Sequence, residues 1–206
     1  MRMRHVLMVG VLMACGFAAV EMQRPGRAPG APPVAVVAAT AFADTPTQTA
    51  SAQAPFAWQG FQIRPLADFS IRARVLSREN YYLGREAELS PTDLALGWKR
   101  MADPAIYQQL GIRQGGRWYR YSWAQQPPIP AQEIIESSAN MHLVPATETV
   151  RSQLAKVRQG DTVRLRGRLI EATHADGWRW TSSLTRSDSG ANACELVWVD
   201  SLEIAP

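Results

Sequence analysis

Cysteine, histidine and charge are all scarce in this sequence, and each shortage excludes a class of protein. Two cysteines among 206 residues are too few for a disulfide-built scaffold or a cysteine-based zinc site. Three histidines leave little material for a histidine-rich metal site. Charged residues make up 19% of the chain, below the ~25% of an average globular protein, and the formal net charge is +4, which excludes an acidic disordered chain. We therefore predict no metal ion and no cofactor.

The hydrophobic run near the N-terminus is too short for an ordinary membrane-spanning helix. Val6–Val20 contains 15 uncharged residues, whereas such a helix needs about 20. The run follows Arg2 and Arg4, and a basic start before a short apolar core is typical of a signal peptide. We therefore predict that residues 1–22 are a signal peptide or membrane anchor, and that the folded part is exported to the periplasm.

Two ways of processing this export segment stay open. Leu12–Cys15 (LMAC) resembles the site at which a bacterial lipoprotein is cut and acylated on its cysteine, here Cys15. Alternatively, translation starts at Met22 and the apolar residues 33–43 form the signal core, with a small-x-small cleavage site at its end. The protein is then either anchored to the membrane through its N-terminus or released. In both cases Cys194 is the one unmodified thiol, so no intramolecular disulfide forms.

Residues 23–56 are rich in proline and alanine and are predicted to form a disordered linker. Within them, residues 44–55 lack large apolar side chains and cannot bury enough surface to offset the entropy of ordering. The first 56 residues also carry a formal charge of +2, half of the chain's +4. The basic excess therefore belongs partly to the export segment, which argues against a nucleic-acid partner.

Residues 57–206 are predicted to form one α+β domain, either an antiparallel β-sheet or a small barrel. Apolar residues alternate with arginines over 163–169, which is the pattern of a half-buried strand. Further strands are predicted over 69–75, 117–123, 178–184 and 194–199. The three predicted strands nearest the C-terminus are joined by tight turns and form a meander, with Gly167 where a barrel would bend.

Three or four short helices are predicted between these strands. Ser90–Asp93 has the pattern of a helix start, with serine at the N-cap, proline at the first position and an acid three residues after the cap. An apolar face would follow at Leu94, Trp98 and Met101. The other predicted helices begin at Asp103-Pro104, at Pro130 over 131–139, and at Thr147.

Part of the chain resembles known proteins. Gly160–Leu169, followed by strand, turn and strand, resembles the start of an oligonucleotide/oligosaccharide-binding (OB) barrel and the small exported OB-like domains of periplasmic proteins. Asp93–Trp98, Ser138–Pro145 and Ser182–Gly190 together resemble a set of exported bacterial proteins with no assigned function, over most of residues 69–200. This resemblance implies export and a single domain, but it supplies no catalytic residue.

Arginines on two predicted strands would share one face if the strands were neighbours. Their forked side chains suit phosphate, sulfate or carboxylate groups, so the face would bind an anionic ligand. The arginines are Arg72, Arg74, Arg164, Arg166 and Arg168. Stacking surfaces for a glycan or single-stranded nucleic acid would come from Tyr119, Tyr121, Trp178 and Trp180. The alternative is a solvated sheet face whose arginines pair across strands with Glu171, Glu195 or Glu203.

A second candidate is a thiol site. His142 lies in a polar cluster that begins at Ser138, and Cys194 would be the nucleophile that this histidine activates. Asn140 or an acid such as Asp188 would orient the imidazole ring. The alternative is that Cys194 is a small core residue of a strand.

A third candidate is the run of hydroxyl and charged residues from Ser182 to Asp188. Ser183 and Arg186 would contact a polar ligand such as a glycan. The alternative is a turn network in which Asp188 bonds to the local backbone and pairs with Arg186.

The leading functional hypothesis is a non-enzymatic binding or assembly module. It rests on the lack of a known catalytic motif beside a long tether and an OB-like meander. Its partner would be an unidentified envelope protein or a polar or anionic ligand. The rival hypothesis is a cysteine-dependent hydrolase that uses Cys194 and His142.

Overall fold

The computed structural model describes residues 45–185, 187–188, 190 and 193–205. Its strands are β1 (Thr47–Ala50), β2 (Phe56–Trp58), β3 (Phe61–Asn80), β4 (Thr92–Gly97), β5 (Arg113–Gly115), β6 (Trp118–Arg120), β7 (Ser138–Pro145), β8 (Thr162–His174), β9 (Arg179–Thr181) and β10 (Glu195–Ala205). Its helices are α1 (Arg85–Leu89), α2 (Pro104–Tyr107), α3 (Ala131–Glu136) and α4 (Glu148–Lys156). The predicted α+β class is confirmed. Predictions on residues 1–44, including Cys15 and Met22, and on Arg186 lie outside the described residues.

The main sheet contains a ring of five strands that is barrel-like but not closed. The ring runs β3, β4, β7, β10, β8, and the long strand β3 pairs with β8 through its first part and with β4 through its last part. Neighbours are antiparallel except β7 and β10, which run parallel. The largest hydrophobic cluster takes alternate residues from all five strands and fills the inside of the ring.

Strand β8 shows how the sequence pattern produces this ring. Val163, Leu165 and Leu169 are buried in the inner cluster, and the arginines between them point to the outer face. Gly167 interrupts the pattern because the strands approach very closely there. A Cβ atom at this position would lie 1.9 Å from the carbonyl oxygen of Trp198. The bend predicted at this glycine therefore coincides with a real close approach of two backbones.

Two smaller hydrophobic clusters cover parts of the outer face of the ring. One contains Phe61, Ile170 and Trp198, and the other contains Leu76, Met101 and Ile134. The short hairpin of β5 and β6 lies against the second of these through Tyr119. In the part of the chain that the structure describes, no helix has the length and apolarity to cross a membrane.

The helix predicted after Ser90 is wrong, because these residues form β4. The residues from Thr92 to Gly97 are buried on both faces of the strand. Leu94 and Leu96 enter the inner cluster, while Ala95 packs in an outer cluster. A strand with apolar residues on both faces also has apolar residues at some of the positions that a helix would use. The spacing therefore predicted a helix where the segment forms a strand.

The predicted three-strand meander is also wrong in its order. Strand β8 pairs with both β9 and β10, and β10 lies between β8 and β7. The strand near residue 117 is shorter than predicted, covering Trp118–Arg120.

Helix starts with side-chain caps match the prediction. The Asp103 carboxylate accepts the backbone N–H of Ala105 at 2.8 Å, and Thr147 Oγ1 accepts that of Val150 at 3.2 Å. The helix predicted after Pro130 forms as α3 but ends at Glu136, because β7 begins at Ser138.

Strand β1 lies inside the segment predicted to be a linker. Thr47–Ala50 pairs with residues 67–70 of β3, yet its four side chains are exposed. Backbone hydrogen bonds, rather than buried apolar surface, therefore attach this segment to the sheet. The absence of large apolar residues that suggested a linker fits the exposure of these side chains.

Candidate functional site

Three neighbouring strands place a carboxylate, an imidazole and a thiol in one row. The register of β4 and β7 puts Asp93 directly opposite His142. On the other side of β7, β10 begins with Glu195 opposite Met141, so Cys194 immediately precedes that strand. Asp93 and His142 alternate with residues of the inner cluster and therefore lie on the outer face of the ring.

His142 and Asp93 form a buried ion pair. The Nδ1 atom of His142 lies 2.9 Å from Oδ2 of Asp93. The Asp93 side chain is 0% exposed and that of His142 is 4% exposed. A carboxylate removed from water in this way is stable only if other groups bind its oxygens.

Arg117 and Asn140 supply those groups. The Nη1 atom of Arg117 lies 2.7 Å from Oδ1 of Asp93, and Asn140 Nδ2 donates to Oδ2 at 3.3 Å. Arg117 also donates from Nη2 to the carbonyl oxygen of Ser90 at 2.9 Å. The carboxylate is thus held between a guanidinium on one side and an imidazole on the other.

The turn between β5 and β6 fixes Arg117 in this position. Gly116 and Arg117 both have positive φ, 57° and 68°, as a tight two-residue hairpin turn requires. The Arg117 backbone N–H donates to the Tyr81 hydroxyl at 3.0 Å, and its guanidinium lies 3.7 Å from the centre of the Tyr81 ring. An arginine at positive φ is uncommon and costs free energy, which these contacts offset.

Cys194 contacts both the turn and the histidine. Its Sγ atom lies 4.0 Å from the carbonyl oxygen of Arg117, and its side chain is partly exposed. Burial opposes the charged form of His142, but hydrogen bonds to Asp93 and Cys194 outweigh burial and raise the pKa of His142 to about 9. His142 is therefore an imidazolium at neutral pH, placed between a carboxylate and a thiol.

An aromatic ring and Ser183 border this row. The Trp180 ring lies 4.7 Å from the His142 ring, centre to centre. The Ser183 backbone N–H donates to the Cys194 carbonyl oxygen at 3.0 Å, and Ser183 Oγ donates to Asp188 at 2.5 Å. Ser183, predicted to contact a ligand, forms hydrogen bonds within this turn, as the alternative interpretation expects.

The orienting group is an acid, as predicted, but it is Asp93 and not Asp188. Asp93 contacts the imidazole, whereas Asn140 acts one step away by donating to Asp93. Asp188 accepts from Ser183. Sequence reasoning missed Asp93 because it was assigned to the first turn of a predicted helix, and it missed Arg117 because that residue was assigned to a strand.

The raised pKa of His142 predicts that the protein loses stability as pH rises. The folded protein binds this proton more tightly than the unfolded chain, so the stabilisation is complete below pH ~6.5 and disappears as pH passes through about 9. Urea unfolding across this range should show a loss of the order of 3 kcal/mol in the wild type. The matched variant His142→Gln should show a much flatter dependence, and equal slopes would contradict the assigned pKa.

The five predicted arginines lie on paired strands, because β3 pairs with β8 along this region. Arg74 is used within the fold, where it donates to the carbonyl oxygens of Ala102 and Gly160. Arg168 pairs with Asp200. The other three border a groove on the outer face, namely Arg72, Arg164 and Arg166.

The aromatic residues predicted to stack beside these arginines join the two outer hydrophobic clusters instead. They are Tyr119 and Tyr121 in one cluster, and Trp178 and Trp180 in the other. Glu171, a predicted partner of the arginine face, pairs with Arg64 and Arg179.

No protein-family model matches the chain, and no curated protein or solved structure matches it. The function is therefore inferred from the chemistry of the described residues.

Proposed function

We propose that this protein is a cysteine-dependent hydrolase with Cys194 as nucleophile, His142 as proton donor and acceptor, and Asp93 as the group that holds the imidazole. One observation carries the proposal: the three side chains lie in a row on adjacent strands, and His142 contacts both of the others. A nucleophile, a base and an orienting third group in this order is the general pattern of covalent catalysis.

The charge state of the row suits thiol chemistry. An imidazolium beside a thiol favours the thiolate, which is the nucleophilic form of cysteine. Asp93 lies against the imidazolium, and Arg117 and Asn140 hold the Asp93 side chain in place. The pair would therefore be poised as thiolate and imidazolium before substrate arrives.

The reaction then follows from these two groups. The Cys194 thiolate forms a bond to the carbonyl carbon of an ester, thioester or amide, and the imidazolium of His142 protonates the leaving group. The acyl group remains on sulfur as a thioester. His142, now neutral, takes a proton from water, whose oxygen attacks the thioester and releases the carboxylic acid and the thiolate.

Export belongs to the proposal as well. The basic start and the short apolar run support a protein that acts outside the cytoplasm, anchored through its N-terminus or released by cleavage. Its substrate would then be an acyl-bearing component of the cell envelope.

A non-enzymatic binding module remains the alternative, and the near-complete burial of His142 and Asp93 favours it. A buried ionic network of this kind also occurs where it only specifies a fold. Thiol reactivity separates the two functions, because an activated cysteine reacts in the native protein and a core cysteine does not.

Native Cys194 is expected to react with a maleimide at pH 6 at least about tenfold faster than a free thiol of ordinary pKa. The measurement is the labelling rate of the peptide that contains Cys194, followed by mass spectrometry to separate it from Cys15. His142→Gln should reduce the rate to that of an ordinary thiol. Labelling that appears only after unfolding would overturn the hydrolase.

A further inference from the structure

A groove on the outer face of β3 and β8 lies apart from the thiol site. Its volume is about 310 Å³, and its polar lining comes from Thr45, Thr47, Ser70, Arg72, Arg164 and Arg166. Strand β1 forms one wall, because Thr47 is paired with Ser70 across the sheet. The groove therefore brings three guanidinium groups and three hydroxyl groups together.

The cross-strand register concentrates positive charge in this groove. Arg72 lies directly opposite Arg164, and Ser70 lies directly opposite Arg166. Like charges directly opposite each other on one face of an antiparallel pair destabilise the sheet. An anion between the guanidinium groups would remove this repulsion.

The carboxylates described near the groove form no ion pair with the two arginines of β8 that line it. Asp200 binds Arg168, and Asp68 accepts a hydrogen bond from Ser51. Glu203 faces Arg164 from β10, but within the described structure Arg164 forms no ion pair with it, and Arg166 forms none with any described residue. Arg164 and Arg166 are therefore the two arginines on which the site depends.

We propose that this groove binds a phosphate group. Two arginines at alternate positions of β8 present planar forks from one side, a geometry that suits the oxygens of a tetrahedral oxyanion. Thr47 and Ser70 share one hydrogen bond of 2.7 Å, which leaves the second hydroxyl proton for the ligand. The site is separate from Cys194, and it stands whether or not that residue is a nucleophile.

The phosphate group can belong to a free ion or to a lipid headgroup. Both sources offer the same oxyanion to the same arginines. A lipid would bring the outer face of β3 and β8 to a membrane surface.

Titration with inorganic phosphate, at ionic strength matched with chloride, tests the site. Saturable shifts of the arginine Nε–Hε resonances of Arg164 and Arg166 are expected in the full chain. The double variant Arg164→Gln/Arg166→Gln should bind phosphate at least about tenfold more weakly. The matched control is Arg113→Gln/Arg120→Gln, because those two arginines also lie directly opposite each other, on β5 and β6.

Vesicle sedimentation distinguishes the two sources. Retention on phosphatidylglycerol vesicles that is lost in the groove variant and kept in the control assigns the groove to a lipid headgroup. A response to inorganic phosphate without retention assigns it to the free ion. No saturable response to either probe, or an equal loss in both double variants, overturns the proposal.

Discussion

Asp93→Ala is expected to cost about 3–5 kcal/mol of folding free energy. The substitution removes the shared acceptor of Arg117, Asn140 and His142, and it leaves a guanidinium and an imidazolium without their buried counter-charge. The reactivity of the Cys194 thiol should also fall, because the His142 imidazolium beside it loses Asp93 as its partner. Urea unfolding gives the free energy, and maleimide labelling in the folded range gives the reactivity.

Two further variants make this result specific. Asp68→Ala removes an exposed carboxylate that bonds to Ser51, and it should change stability by less than about 0.5 kcal/mol. Asp93→Asn keeps the shape of the side chain while removing its charge, so it should fold better than the alanine variant yet still label slowly. If Asp93→Ala unfolded as Asp68→Ala does, the buried network would not support the fold.

Gly167→Ala is expected to destabilise the protein by at least about 3 kcal/mol. The added Cβ would lie 1.9 Å from the carbonyl oxygen and 2.9 Å from the carbonyl carbon of Trp198. These atoms belong to the backbone of β10, so no side chain can rotate away. The two strands must separate at the centre of the ring, where the ladder already shifts its register between Val199 and Ser201.

The matched control for this substitution is Gly115→Ala. A Cβ at Gly115 would meet nothing within 4 Å, and the residue does not have a positive φ. Its thermal unfolding midpoint should stay close to that of the wild type. A wild-type midpoint in Gly167→Ala would show that β8 and β10 can separate without penalty.

The sequence predicted the parts of the fold that depend on interactions between neighbouring residues, namely two helix starts and strand β8. Asp103 and Thr147 cap their helices through their own side chains, and a cap of this kind can be recognised from a few neighbouring residues. The alternation over 163–169 marks β8 in the same way. The neighbouring arginines of β3 and β8 were predicted on the condition that the two strands pair, and the register satisfies that condition.

The candidate site depends on contacts that local patterns do not show. Ser90–Asp93 has the composition of a helix start, but tertiary packing makes it the entry to a strand buried on both faces. The same misassignment concealed Asp93 as the partner of His142. Arg117 occupies a turn position at positive φ that usually selects glycine or asparagine, so composition could not indicate it.

The parallel pairing of β7 and β10 also determines when the thiol row can form. Parallel neighbours require a crossover, and here the crossover contains α4, β8 and β9. Strand β10 lies between β7 and β8, so Cys194 reaches His142 only when β10 pairs with β7. This pairing is long-range, and the loop must close before the contact can stabilise it. A chain in which β10 has not yet paired would therefore carry a cysteine without its histidine neighbour.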